Sequence, residues 1–276
     1  MNLYPAKASR SWTVVALIIA VIWLFPILFA LGTSFRPLQD VFANVVNFIP
    51  IPPTLENYAK LAGRLDLPRV IANTFSIAAT VTLLKLLTAF LAAYAFTYFE
   101  FRGGRNKIYF VFLATIFVPF TVTMIPNYLL IARIGLGDNI LGVILTQVAD
   151  ASGILLMVAA MREIPYSLIE SAKLDDVSDR RIMLDMVLPL VRPQLTATGI
   201  WFFVNSWNEF VWPSLILRSE QSYTLPLALQ MFVSAEGGTD FAVAMAVSVV
   251  TMLIPVVLYL TFQKYIIGTF TGAGIK

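Results

Sequence analysis

Ionisable side chains are scarce in this chain, and three of them stand where charge is costly. Lys85 lies in the middle of a long apolar stretch, residues 71–99; Asp150 lies in another, 140–161, and Glu209 in a third, 194–217. A charge at mid-bilayer depth costs about 2.5–3.5 kcal/mol even on the lower scales, so each of these groups calls for a partner. Lys85 can pair with Asp150, with Glu209, or with a carboxylate on another chain. The pair can serve a pathway, an inter-subunit contact or a structural ion pair, and the sequence leaves these open. A second constellation is Asn205, Trp207, Asn208 and Glu209, interleaved with Trp201 and Trp212. Amides and carboxylates beside indole rings suit polyhydroxylated ligands, whose hydroxyls hydrogen-bond and whose apolar faces stack. Trp also belongs at membrane interfaces, and Asn also joins neighbouring helices, so this constellation has a structural reading too. The chain has no histidine and no cysteine, which excludes disulfide frameworks, Cys/His zinc sites and His-based triads. No G-x-x-x-x-G-K-[ST] phosphate loop occurs, so the chain carries no ATPase site of that kind.

The elements that must hold these residues follow from composition. Of 276 residues, 59% are hydrophobic and 13% charged, with a mean hydropathy of +0.81. Soluble domains carry roughly 25% charged residues, so the deficit of charge marks an integral membrane protein. A net charge of +3 is no footprint for nucleic acid. A spanning helix needs about 20 mostly apolar residues, and six segments qualify: about 12–31, 71–99, 108–131, 140–161, 194–217 and 241–267. The first follows Lys7 and Arg10. It is longer than the apolar part of a signal peptide, typically about 7–15 residues, and is read as an uncleaved anchor. Pro37, Pro50, Pro52, Pro53 and Pro68 predict a loop after it, with one short helix near 55–62. Gly103-Gly104 predicts a break, Gly135-Leu-Gly-Asp138 a tight turn, and Pro119 and Pro126 a kink in the third span. The spans leave no room for a separate soluble domain, so 1–276 reads as one all-α transmembrane domain.

Orientation follows from the positive-inside rule. With a cytoplasmic N-terminus, the inside segments hold Lys7, Arg10, Arg102, Arg105, Lys107, Arg162, Lys173, Arg180, Arg181, Arg192, Lys264 and Lys276. The outside segments hold Arg36, Lys60, Arg64, Arg69, Arg133 and Arg218. Twelve against six predicts N-in and C-in, and makes the charged stretch 162–193 a cytoplasmic loop. Within it, Pro165 suits a first helical position, and Leu168, Ile169, Ala172 and Leu174 give one short amphipathic helix. Residues 175–179 interrupt it. A second short helix begins near Ser178 with Ile182, Met183, Met186 and Val187 at helical spacing, and Pro189 ends it. Two short helices joined by a turn make a firm knob, which either braces the bundle or docks a cytoplasmic partner.

Glu170-Ser171-Ala172, then Asp176 after three residues, then Met186-Val187-Leu188-Pro189 after nine more, resembles the coupling (EAA) loop of ABC-importer permease subunits, E-A-A-x3-G-x9-I-x-L-P. Ser171, Asp176 and Met186 depart from it. Asp176 stands where the family has Gly, at a turn where positive φ is useful, and Asp adopts that conformation less readily than Gly. Other segments resemble the same family in the same order: Pro53-Thr-Leu-Glu-Asn57-Tyr58, Ala72-Asn73-Thr74, Pro119 through Pro126-Asn-Tyr with Gly135-Leu-Gly, Trp207-Asn208-Glu209-Phe210-Val-Trp212-Pro213 with Thr224-Leu-Pro226, and the tail Gly268-Thr-Phe-Thr-Gly272-Ala-Gly274-Ile-Lys276. The tail is similar to that of smaller maltose-type permeases.

This resemblance implies a permease subunit of a carbohydrate importer in a prokaryotic inner membrane, paired with a homologous second permease. It implies a cytoplasmic ATPase dimer, which would hold the ATP and Mg that this chain does not bind, with Glu170 facing a basic residue in its cleft. Ser171, Ala172, Asp176, Leu188 and Pro189 would complete that coupling surface, and Gly272, Gly274 and Lys276 would reach the ATPase dimer. An extracytoplasmic solute-binding protein would deliver substrate. Glycerol-3-phosphate importers share the architecture, so a phosphorylated polyol is the alternative cargo. A self-sufficient secondary transporter, coupled through Lys85, Asp150 and Glu209, is the alternative class.

Overall fold

The computed structural model describes residues 10–44, 47, 49–233 and 240–272, with side chains described up to Gln263. Among these residues the secondary structure is helical throughout, without strands. The helices are α1 (Arg10–Ser34), α2 (Leu38–Ala43), α3 (Glu56–Arg64), α4 (Leu67–Tyr98), α5 (Arg105–Ala114), α6 (Phe120–Arg133), α7 (Ile140–Leu145), α8 (Ala151–Arg162), α9 (Tyr166–Leu174), α10 (Asp179–Arg181), α11 (Leu188–Trp207), α12 (Val211–Ile216), α13 (Leu225–Val233) and α14 (Phe241–Gly272). A 3₁₀ turn, Thr115–Phe117, extends α5, and a π turn, Ile182–Val187, joins α10 to α11.

Among the described residues, four helical runs are long and apolar enough to cross a membrane: Ser11–Ser34, Leu67–Tyr98, Asp179–Trp207 and Phe241–Gln263. Two bent pairs qualify only when each is taken as one span: Arg105–Phe117 with Phe120–Arg133, bent by 94°, and Ala151–Arg162 with Tyr166–Leu174, bent by 75°. Three expected spans therefore differ from straight helices. The segment 108–131 breaks at Val118, before Pro119, which stands at the N-cap of α6, whereas Pro126 lies inside α6 without interrupting it. The segment 140–161 is two helices separated by residues 146–150, and Asp150 is the N-cap of α8 rather than a residue inside a continuous helix. The segment 194–217 breaks at 208–210, between α11 and α12.

The chain divides into two compact units. The first comprises residues 1–67 and 228–253. The loop after α1 is organised by a fully buried Arg36. The Arg36 guanidinium donates to Asp40 Oδ2 at 2.7 Å and to the carbonyls of Asp40, Asn44 and Asn47, capping the end of α2. Buried Asn57 on α3 donates to the Ser34 and Arg36 carbonyls, 2.8 Å each, and so caps the end of α1. Tyr58 Oη lies 2.9 Å from Ser34 Oγ. The Asn-Tyr pair after the prolines is thus a cap for the first helix.

The second unit comprises residues 68–227 and 254–276, and its described residues include two hydrophobic clusters. One gathers Ile77, Val81, Ile131, Val143, Ile144, Trp212 and Ile216 from α4, α6, α7 and α12. The other gathers Ala89, Ala93, Tyr94, Met157, Met161, Ile169, Ala172, Ile182, Val187 and Val191 from α4, α8, α9, the π turn and α11. Positive-φ glycines stand at both expected turns, Gly103 and Gly104 at 96° and 92°, and Gly135 at 73°.

Candidate functional site

Residues 162–193 form a braced surface element. Ile169 and Ala172 of α9 are buried in the second cluster, whereas Tyr166, Glu170 and Leu174, at steps of four, face outward. Leu174 is 80% exposed. Such a pattern fixes the helix by one face and offers the other. Ser171 is exposed, and its Oγ donates to the Leu168 carbonyl at 3.1 Å. The helix ends on a left-handed residue, Asp176 at φ 56°. There the Val177 N–H donates to the Ala172 carbonyl at 3.0 Å and the Asp176 N–H to that of Lys173 at 3.2 Å, the pair of bonds usually made around a glycine.

Two expectations about this element are corrected. Pro189 does not end the second helix, and there is no separate second short helix: α10, the π turn and α11 run on as one helical stretch from Asp179 to Trp207. A proline ring in a tight α turn would meet the carbonyl four residues back, that of Asp185. The wider π turn immediately before Pro189, with the Leu188 N–H bonded to the Met183 carbonyl, lets the helix continue. Leu188 packs against the second cluster and Pro189 is exposed. Below them the Tyr94 hydroxyl donates to the Asp179 carbonyl and that of Tyr98 to the Met161 carbonyl, 3.2 Å each.

Lys85 and Asp150 are brought together, Nζ to Oδ2 at 3.4 Å. The other carboxylate oxygen of Asp150 accepts the backbone N–H groups of Ser152 and Gly153 at 2.9 and 3.3 Å. The Lys85 ammonium also lies 5.2 Å from the centre of the Phe202 ring. Glu209 is engaged elsewhere: its Oε1 accepts the Trp212 N–H at 3.2 Å, capping α12.

The expected ligand constellation is redistributed. Trp207 is fully buried and stacks on Phe203, so it offers no face to a solute. Trp201, 45% exposed, lies instead on one face of α11 with exposed Asn205, and the exposed C-cap Asn208 follows, at steps of four and three. Both amides donate Nδ2 to the carbonyl four residues back, at 2.8 and 2.9 Å. The sequence pointed to a Trp beside Asn but could not say which indole the helix turns outward.

Sequence reasoning read Asp138 only as part of a turn, yet it is a hub. One carboxylate oxygen accepts the N–H groups of Arg218 and Ser219, at 2.9 and 3.0 Å, and the Ser222 hydroxyl. The Ser222 hydroxyl foremost, with those N–H groups, holds the Asp138 carboxyl well below the usual carboxylate range. Asn73 donates to the carbonyls of Gln221 and Tyr223, and Thr74 Oγ1 accepts the Leu225 N–H at 2.9 Å. The loop 217–225 is thereby clamped from two sides. The available signal was an Asp after a Gly-x-Gly turn, at φ 54°, where its side chain is free to gather donors.

This helical chain, with its broken helices and braced helix-turn, matches a family model over residues 2–269, described as the binding-protein-dependent transport system inner membrane component. The chain belongs to that family. It is therefore a membrane transport component and not an enzyme by itself. The permease is 30% identical over 271 residues to the arabinooligosaccharides transport system permease protein AraQ of Halalkalibacterium halodurans, covering 96% of each chain. It is also 30% identical over 267 residues to the sn-glycerol-3-phosphate transport system permease protein UgpE of Escherichia coli, covering 94% of each. Its fold is similar to a chain in the crystal structure of a bacterial ABC transporter involved in the import of the acidic polysaccharide alginate. There the TM-score is 0.79 at 23% identity, over 96% of this chain and 99% of that one. Of the expected tail residues, Gly272 is the last residue of α14, while Gly274 and Lys276 lie outside the described residues.

Proposed function

We propose that this chain is one of two permease subunits of an ATP-driven importer that carries a sugar or oligosaccharide across a bacterial inner membrane by alternating access. One permease domain crosses the membrane six times, N-in and C-in, through α1, α4, α5 with α6, α7 with α8, α11 with α12, and α14. The observation that carries the reading is α9: one face buried beside Met157 and Met161, the other offering Tyr166, Glu170 and Leu174. A helix held in this way transmits a push to the bundle, and its partner is a cytoplasmic ATPase dimer that binds ATP and Mg. Glu170 meets a basic group there, Ser171, Asp176, Leu188 and Pro189 shape the contact, and the tail from Gly272 to Lys276 reaches into the dimer. A solute-binding protein docks on the outer loops, and a second permease completes the pathway.

The cargo follows from the exposed face of α11. Trp201 supplies a stacking surface and Asn205 and Asn208 supply hydrogen bonds, while that face carries no cation for a phosphate and Glu209 adds an anion nearby. This favours a neutral carbohydrate over glycerol-3-phosphate, although relatives named for both kinds of cargo are 30% identical to the chain.

Affinity purification from the native host in mild detergent tests the assignment. Recovery with an ATPase and a second permease is the expected result. Recovery as a stable homo-oligomer would overturn it in favour of a self-sufficient transporter. In the intact complex, Glu170→Lys is expected to uncouple ATP hydrolysis from uptake while leaving the chain inserted.

A further inference from the structure

The two hydrophobic clusters of the second unit are joined by one unbroken helix and three broken connections. α4 runs through both, with Ile77 and Val81 in one and Ala89 and Ala93 in the other. The other connections all interrupt between the clusters: α5 to α6 at residues 118–119, α7 to α8 at 146–150, and α11 to α12 at 208–210. Residues 77, 81, 85, 89 and 93 fall at steps of four on α4. Lys85 is the one charged member of an otherwise buried apolar stripe, at the level where the clusters part.

From this placement we infer that Lys85 is a positioning residue for transport: with Asp150 it pins the 146–150 joint to α4, so that the two clusters turn about one fixed point. The inference rests on the transport reading above and adds to it the place where motion from the coupling end is transmitted. Four contacts converge on that place. Asp150 uses one oxygen to start α8 and the other to hold Lys85 at 3.4 Å. Thr88 Oγ1 lies 2.9 Å from the Val148 carbonyl, less than one turn further along α4. Phe202 of α11 presents its ring to the Lys85 ammonium. Gly153 lets that ring come close, since a Cβ there would lie 2.6 Å from Phe202 Cζ and 3.2 Å from Ala89 Cβ.

The other breaks are made differently. Glu209 caps its own α12, and the 118–119 break is defined by Pro119. Neither ties its connection to α4 by an ion pair among the described residues. A charge with low-dielectric surroundings cannot leave its partner cheaply, so the Lys85–Asp150 contact holds its joint to α4 while the other two stay free to bend. α9 and the start of α11 lie in one cluster and α7 and α12 in the other. Motion received at α9 therefore reaches the far cluster through α4 and this joint.

The test separates a pin from an ion pair that only supports folding. Asp150→Asn keeps a competent N-cap, because Asn caps helices as well as Asp does, and removes only the charge. Lys85→Met with Asp150→Asn leaves no unpaired charge, and such neutral replacements of buried pairs are commonly tolerated. In the reconstituted complex the double variant is expected to assemble and hydrolyse ATP, while solute moved per ATP falls about tenfold, within the usual range for coupled sites. Lys85→Arg is expected to stay near the parent ratio. A double variant that transports at the parent ratio would overturn the inference.

A second readout does not need transport. The chain has no cysteine, so nitroxides attached to cysteines placed at exposed Leu141 on α7 and Leu155 on α8 form its only labelled pair. Their distance distribution is expected to broaden in the double variant, and an unchanged width would overturn the pin. If the unaltered complex neither hydrolyses ATP nor transports, the transport reading fails, and the label distances still report on the joint.

Discussion

Asn57 offers a direct test of how the loop after α1 is held. Its amide makes two 2.8 Å bonds, to the Ser34 and Arg36 carbonyls, and is 1% exposed. A neutral hydrogen bond contributes about 0.5–1.5 kcal/mol net, and a buried polar group left unsatisfied costs about 1–3 kcal/mol. Two carbonyls lose their donor in Asn57→Ala, and water entering the gap replaces part of the loss, so local destabilisation of about 2–4 kcal/mol follows. Asn57→Asp is the sharper perturbation. It keeps the shape, but an ionised carboxylate has no proton to donate and would face two carbonyl oxygens, so it is expected to be worse than alanine. Backbone amide exchange in nanodiscs reads the effect: protection of Phe35, Arg36 and Thr54, whose N–H groups bond within this loop, should fall by about 30-fold or more in the alanine variant, the factor that 2 kcal/mol represents. Aspartate tolerated as well as asparagine would refute the reasoning, since it has the same shape but neither the donors nor the neutrality that the two carbonyls require.

Other outcomes follow from the same geometry. Asp176→Gly should raise the melting temperature of the purified complex slightly, because φ 56° costs a Cβ-bearing residue more than glycine, whereas Asp176→Val should lower it. Trp201→Ala should weaken uptake with little effect on thermal stability; Trp207→Ala should do the reverse, costing about 3–5 kcal/mol as a buried Trp truncation. The Asp138 carboxyl is held below its ordinary value, so its clamp on 217–225 should be fully present above about pH 4 and be lost only as pH falls below that, toward its folded-state value. Limited proteolysis of that loop across pH 3–7 checks this, and Asp138→Ala should be cleaved at every pH in the range.

The long elements and turns were legible because composition decides them. Unbroken apolar runs give α1, α4 and α14, and Gly103, Gly104 and Gly135 stand where left-handed backbone is required. The breaks at 146–150 and 208–210 were not legible as breaks, because their surroundings stay apolar and a hydropathy pattern averages over five residues. Asp150 before Ala-Ser-Gly carries an N-cap signal. As a lone charge amid apolar residues it reads equally as an intramembrane partner in mid-helix, since the two look alike until the helix start is known. The burial of Trp207 and exposure of Trp201 depend on which face of α11 turns inward, the face on which Phe203 meets Phe75 of α4, a fact of tertiary packing. Asp176 shows the opposite case: a departure from the family glycine still falls on a residue at positive φ.

The π turn at 182–187 has a consequence for register. Each residue of an α-helix turns the next by about 100°, and a π turn accommodates one more residue per turn than the α-helix does. Everything before it, Asp179 to Arg181, is thereby rotated by about one residue step relative to the face that carries Trp201, Asn205 and Asn208. Removing one residue from this turn would restore a regular helix, swing the start of the stretch around its axis, and bring the Pro189 ring against a carbonyl. The two ends of this helix are thus indexed separately: alignment by unbroken helical periodicity would assign the wrong face to one of them, and a single-residue deletion here should be far more damaging than a conservative substitution at the same position.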